Sequence, residues 1–155
     1  MKWIGIILKI EKGTLGYLNL ISYIINMIIA IIGGREFDDY QLLKKTLEPY
    51  KSKITDIVSG GARGADKLGD KWSRQFLNKK AIEFLAEWDN LDDPCLIKRN
   101  DKGELYNSLA GFKRNKDIVK KCDALIAFWD GKSTGTKDSL DYAKKIKKPV
   151  KIVYY

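Results

Sequence analysis

The residues best placed to do chemistry lie in SGGARGADKLG, residues 59–69, directly after the apolar run at 54–58. Four glycines fall in these eleven residues, where a strand would hand over to a helix. Glycine there permits positive φ and lets a ligand approach backbone N–H groups closely. The following helix aims the positive end of its dipole at the same place. Phosphate is the ligand such a turn suits, and Arg63 beside it could add a bidentate, charge-assisted contact. A purely structural tight turn is the competing reading. A second stretch, AFWDGKSTGT at 127–136, repeats the pattern and favours the anion site.

Two familiar phosphate loops are excluded. GKS at 131–133 lacks the glycine a Walker loop needs five residues before its second one, because residue 126 is Ile. The dinucleotide pattern G-x-G-x-x-G fails because residues 59, 61 and 64 are Ser, Gly and Gly.

The chain contains no histidine, which excludes histidine-based triads and histidine general bases. Cys95 and Cys122 alone make neither the usual zinc sites nor a disulfide framework, and they fit a reducing cytoplasm. No metal site is expected. The formal net charge of +9 favours anionic partners, nucleotide or nucleic acid. The lysines are spread along the expected helices, as at 113–121 and 144–148, which reads more as solvated faces than as one groove.

The elements that must position these residues alternate. Apolar runs at 27–32, 54–58, 81–85, 123–128 and 149–154 read as strands. Amphipathic segments at about 40–50, 64–78, 110–121 and 136–146 read as helices, the first capped by Asp38 or Asp39. Inward positions include Leu42, Leu43, Leu47, Leu68, Trp72, Phe76, Leu77, Ile118, Val119, Leu140, Ala143 and Ile146. This order predicts an α/β fold: one Rossmann-like, three-layer domain with a mainly parallel sheet of about five strands and helices on both faces. Residues 87–109 read as a long irregular loop, a lid or a disordered segment.

The domain is expected at 27–155, starting at Met27. Residues 1–26 form an N-terminal extension with three readings: a leader from a misplaced upstream start, an extra packed element, or a membrane anchor. The apolar run at 17–32 is short for a spanning helix and contains Asn19, Ser22 and Asn26, so no membrane association is expected.

Ligands of an open parallel sheet bind beyond the carboxyl ends of its strands. IIGGREF, VSGGARGAD, LAEWD and AFWDGKSTGT end four of the expected strands. With AGFKRNKDIV at 110–119 and the C-terminal stretch, these segments resemble the YspA-like, YpsA-related branch of the SLOG superfamily over about residues 27–155. The resemblance implies a Rossmann-like domain that binds a nucleotide or an ADP-ribose-like derivative, in a bacterium or its phages. The superfamily includes the LOG phosphoribohydrolases, sensors of NAD-derived signals in antiviral systems, and a DNA-processing protein that handles single strands.

Carried over by position, the implied ligand-binding residues begin with Gly33, Gly34 and Arg35 in the first loop. Ser59, Gly60, Gly61, Ala62, Arg63, Gly64 and Asp66 follow in the second. Asp66 could cap its helix instead of touching ligand. Arg114 and Asn115 match the family's Arg-Asn pair. Asp130, Gly131, Ser133, Thr134, Gly135 and Thr136 form the last loop, its hydroxyls joining backbone N–H groups on phosphate. Trp88 and Trp129 either stack on a base or pack in the core.

The LOG hydrolases carry a catalytic Glu within a PGGxGTxxE pattern, and alignment with STGTKDS places Ser139 there. Serine cannot serve as that acid, so hydrolysis of the LOG kind is not expected. Glu36 and Asp130 remain candidates for another catalytic role.

The leading expectation is therefore a cytoplasmic protein that senses or sequesters a nucleotide-derived ligand. The alternatives are a hydrolase of N-glycosidic or phosphoester bonds and a single-strand nucleic-acid binder. A homo-oligomer is an open alternative to a monomer.

Overall fold

Strand β1, Met27–Gly33, is the hydrophobic centre of the protein and explains the layering around it. Its side chains alternate between two faces, and both faces are covered. Ile29 and Ile31 join a buried cluster with Leu43, Leu47, Ile57, Trp72, Ile126 and Phe128. Ala30 and Ile32 join the opposite cluster with Val58, Ile118, Val119, Leu125, Leu140 and Ala143. The computed structural model describes residues 26–92 and 95–155. The extension at 1–26 lies, except for Asn26, outside the described residues.

After β1 come helix α1 (Tyr40–Leu47), a 3-10 turn (Glu48–Tyr50), β2 (Ile54–Ser59) and α2 (Ala65–Leu77). Then follow β3 (Ile82–Glu83), β4 (Ile97–Arg99), β5 (Leu105–Asn107) and α3 (Ala110–Lys121). The chain ends with β6 (Ala124–Trp129), α4 (Thr134–Lys145) and β7 (Val150–Tyr154). The main sheet has five strands in the order β3-β2-β1-β6-β7, all parallel. The order reverses between β1 and β6, and this is where a parallel sheet opens a crevice at its carboxyl edge.

Local chemistry sets the boundaries. Asp39 caps α1 by accepting from Leu42 N at 2.8 Å. Pro49 lacks the N–H that a continuing helix would need, and the chain tightens into the 3-10 turn. Helix α2 ends where Asn78 adopts a left-handed φ of 54°.

Two expectations need correction. The strand expected at 81–85 has only two residues, both exposed, because it is the sheet edge and has neighbours on one side alone. Residues 87–109, expected as a long irregular loop that is either a lid or disordered, are ordered in part, with the antiparallel hairpin β4–β5. Its turn is built by Asn100, whose side chain accepts from Lys102 N and Glu104 N at 2.9 and 3.0 Å. Gly103 supplies the positive φ of 81° that the turn needs. Among the described residues, no helix is long and apolar enough to cross a membrane.

Candidate functional site

A cavity of about 430 Å³ opens at the carboxyl edge of the sheet, at the β1/β6 reversal. Its walls come from the β1–α1 loop, the α3 face, the β6–α4 loop and the C-terminal Tyr155. Of the residues singled out in the sequence, Gly33, Gly34, Arg35, Glu36, Ala62, Asp66, Trp88, Arg114, Asn115, Asp130, Ser133, Thr134, Gly135 and Thr136 line it. Ser59, Gly60, Gly61, Arg63, Gly64, Trp129 and Gly131 do not.

The two glycine-rich loops, alike in sequence, differ in what satisfies their donors. In the β2–α2 loop the Asp66 carboxylate turns back to accept from Gly60 N at 2.9 Å and Ala62 N at 3.2 Å. Gly61 N donates to Ser59 Oγ at 3.4 Å. This loop therefore already holds an anion, and the anion is its own side chain. Asp66 is buried, and that burial pushes its carboxyl up to about 6, against the pull of the two N–H donors and of Arg114. Gly64 has φ of 81°, and a Cβ there would meet Gly34 O at 2.3 Å. Glycine at 64 thus lets the first two loops pack backbone to backbone. Arg63 points elsewhere and pairs with Glu36 on the surface.

Arg114 and Asn115 belong to α3 and tie the loops together. Arg114 donates to the carbonyls of Gly60 and Phe84 and to Asn115 Oδ1 at 3.1 Å. A Cβ on Gly60 would sit inside the guanidinium, so that glycine makes room for Arg114. Asn115 Nδ2 passes the connection on to Gly135 O at 3.3 Å. One hydrogen-bonded chain thus runs from the end of β2 to the first turn of α4. Burial lowers the Arg114 pKa from its ordinary value, and the neighbouring Asp66 charge opposes this.

The β6–α4 loop is closed by Asp130, whose Oδ1 accepts from Lys132 N at 2.9 Å and Ser133 N at 2.8 Å. Those donors hold the exposed Asp130 carboxyl below its ordinary range. Trp129 braces the loop by donating to Ser133 O at 3.1 Å, and its ring lies 5.8 Å from that of Tyr154. Beyond this the α4 N-terminus is open. Its first turn carries no acidic residue, and Ser133 makes no capping bond. The N–H groups of Thr134, Gly135 and Thr136 have no protein acceptor among the described residues. The hydroxyls of Thr136 and Ser133 are 3.1 Å apart at the same turn. Arg35, which also lines the cavity, makes no ion pair within 4.0 Å among the described residues.

Ser139, at the position of the LOG acid, lines the cavity and donates to Gly135 O at 3.2 Å. The sequence reading missed Ser108, Gly111, Phe112 and Tyr155 in the wall. AGFKRN placed Gly111 and Phe112 on the same helical face as Asn115, which is the signal that could have found them. Tyr155 carried no such signal. It reaches the site because β7 runs parallel to β6 and ends beside Phe37, 4.9 Å between rings. Among the described residues no group of three or more Cys, Asp or Glu is placed to hold a metal ion.

Comparison with known proteins agrees with this architecture. The family described as YspA, cpYpsA-related SLOG matches residues 27–90. The Gene 61 protein of Mycobacterium phage D29 is 30% identical over 99 residues, covering 61% of this chain and 67% of that protein. Two solved structures share the fold. DNA processing protein A from Helicobacter pylori, described for its single-stranded DNA binding mode, superposes with a TM-score of 0.57 at 23% identity. Its counterpart from Streptococcus pneumoniae gives 0.60 at 19% identity. The chain covers 64% and 52% of those two proteins, and the matches span 81% and 86% of its own length.

Proposed function

The chain belongs to the YspA, cpYpsA-related SLOG family, and from that premise we propose that it binds a nucleotide or nucleotide-derived ligand in the cavity between β1 and β6. The observation that carries this is the α4 N-terminus. Three N–H groups and two hydroxyls converge there, without a carboxylate of the protein's own, on a cavity large enough for a small ligand. Arg35, in the same lining, supplies the cation. A phosphate at this turn gains the helix dipole together with charge-assisted hydrogen bonds of roughly 1.5–3 kcal/mol each. The SGGARGAD loop takes a different role, as a wall in which Asp66 occupies the N–H groups of Gly60 and Ala62.

Binding without turnover is favoured over hydrolysis. Asp130 is held ionised by two backbone donors and is a poor proton source near neutral pH. Glu36 is paired with Arg63, and Ser139 replaces the LOG acid. The ligand is thus sensed or sequestered, a role suited to the phage setting of the Gene 61 relative.

A second reading, single-stranded nucleic acid as ligand, is favoured by a specific surface on α1 and α2. The ammonium groups of Lys44 and Lys71 lie over the Tyr40 ring, and those of Lys44 and Lys51 over the Phe76 ring. None of the three has a carboxylate within 4.0 Å among the described residues. The Helicobacter relative's single-stranded DNA binding points the same way.

One experiment separates these readings. The full chain is heated with AMP, ADP, NAD, ADP-ribose and a short oligonucleotide. A ligand at about 100 times its dissociation constant adds roughly 2.7 kcal/mol. The cavity reading expects a nucleotide-induced rise in the midpoint that is lost in Arg35→Ala and Thr136→Val and kept in Arg63→Ala. The ligand is then recovered and checked for cleavage. Stabilisation by oligonucleotide alone, abolished when Lys44, Lys51 and Lys71 become Gln, overturns the cavity reading in favour of the second. For that surface the logarithm of affinity should fall with the logarithm of salt at a slope near −2, about −0.7 per neutralised phosphate.

A further inference from the structure

This protein buries Trp72, Phe37 and Phe128 completely, yet leaves Trp88 and Phe112 about 40% exposed in the cavity wall. Trp88 is fixed from several sides. Its N–H donates to Ala86 O at 3.0 Å, and its carbonyl accepts from Asn107 N at 2.8 Å. Tyr106 of the hairpin meets its ring edge-on, 6.3 Å between centroids at 66°. The ring also lies against Gly111, where a Cβ would stand 2.9 Å from Cη2. The indole is therefore oriented before any ligand arrives, which lowers the ordering cost of binding.

The phase of α3 puts this aromatic wall at a definite distance from the anion end. Gly111, Phe112, Asn115 and Ile118 recur on its cavity face. Asn115 touches Gly135 in the first turn of α4, and Gly111 and Phe112 lie one turn back. One helical turn is about 5 Å, which is the span a ribose bridges between a phosphate and its base. We infer that Trp88, Gly111 and Phe112 form a base-stacking subsite, supported by the β4–β5 hairpin, that makes the cavity select nucleotides over sugar phosphates. This rests on the phosphate reading of the α4 end. Stacking accepts any base, because every base presents a π face. The wall therefore explains a preference for nucleotides as a class.

The test compares AMP, GMP and UMP with ribose 5-phosphate by calorimetry on the full chain. At least one nucleotide should bind about 10-fold or more tightly than ribose 5-phosphate, as expected for one stacked base. Trp88→Leu and Phe112→Leu should each remove most of that advantage and leave ribose 5-phosphate within twofold of the wild type. Gly111→Ala, which favours the helix but crowds the indole, should act like Trp88→Leu. The bound nucleotide should quench tryptophan fluorescence in the wild type and not in Trp88→Leu. Equal affinities for nucleotide and sugar phosphate overturn this inference and leave the phosphate reading standing. So does an equal loss of both ligands in the two leucine variants. If neither kind of ligand binds, the phosphate reading fails and the inference fails with it.

Discussion

Replacing Asp66 by Asn asks which of two opposed effects governs the loop before α2. Desolvation raises the Asp66 pKa, and the N–H groups of Gly60 and Ala62 with the Arg114 charge lower it. Burial wins, and the carboxyl titrates at about 6 where the unfolded chain would titrate near 3.8. Between those values the folded protein binds the extra proton. The contribution of this group to stability is then fully present below about pH 4 and declines as pH rises to about 6. Two pKa units correspond to about 3 kcal/mol. Asp66 is buried, so this figure needs no large discount for solvent screening.

Asn keeps the shape and one carbonyl oxygen. Both backbone donors meet the same carboxylate oxygen, Oδ2, so the amide oxygen can take its place. The variant should fold, and it has no proton to exchange at this position. Urea unfolding of both proteins, followed by tryptophan fluorescence at pH 4, 5, 6 and 7, gives the stability difference at each pH. Subtraction removes Asp70, Asp130 and Asp141, whose lowered pKa values drive stability the other way, and also Asp138. Relative to Asp66→Asn, the wild type should gain about 2 kcal/mol between pH 7 and pH 4, because the unfolded carboxyl is still about half ionised at pH 4. A flat difference, or a wild type that loses ground on acidification, would mean that the donors outweigh burial and would refute the reasoning.

Two further outcomes are expected elsewhere. Asn107 is buried at the base of the hairpin, where its side chain accepts from Leu96 N and Leu109 N and donates to Asn90 O. Asn107→Ala leaves those groups unpaired at a cost of about 1–3 kcal/mol, and hydrogen exchange should quicken in residues 95–109 and not in β6; equal quickening in both would show that the hairpin is not a separate unit. Burial pushes the Cys122 thiol up to about 11, whereas Cys95 lies partly at the surface. A thiol reagent at pH 8 should therefore modify Cys95 alone in the native protein and both cysteines in denaturant, and fast native labelling of Cys122 would contradict its burial.

The central sheet was legible because its physics is periodic and local. Ile-rich runs bounded by glycine read as buried strands, and Leu43 with Leu47 or Ile118 with Val119 read as helix faces; the structure buries all four. The hairpin was not legible. Its strands have three residues each, with mixed side chains, and only the Asn-Asp-Lys-Gly turn announces it. The length of β3 was overestimated because Ala81–Leu85 has an apolar pattern, while pairing depends on a neighbour that an edge lacks.

The candidate site shows a different boundary. Composition marked both glycine-rich loops as anion sites, and helix N-termini do follow both. A donor binds ligand only if nothing in the protein has taken it, and that depends on the rotamer of one aspartate two to six residues away. Asp66 turns back on its loop and places a carboxylate on Gly60 N and Ala62 N; Asp130 takes Lys132 N and Ser133 N, and the next three N–H groups, in residues that line the cavity, are left without a protein acceptor among the described residues. The same hydrogen-bonding chemistry therefore makes one loop a wall and the other a mouth. Arg114 joins them through Asn115, so a ligand seated at α4 presses on a chain whose far end is Asp66. Binding at the α4 end and protonation at the α2 end should then be coupled. Because Arg114 favours the ionised Asp66, a phosphate that draws Arg114 toward itself should raise the Asp66 pKa further.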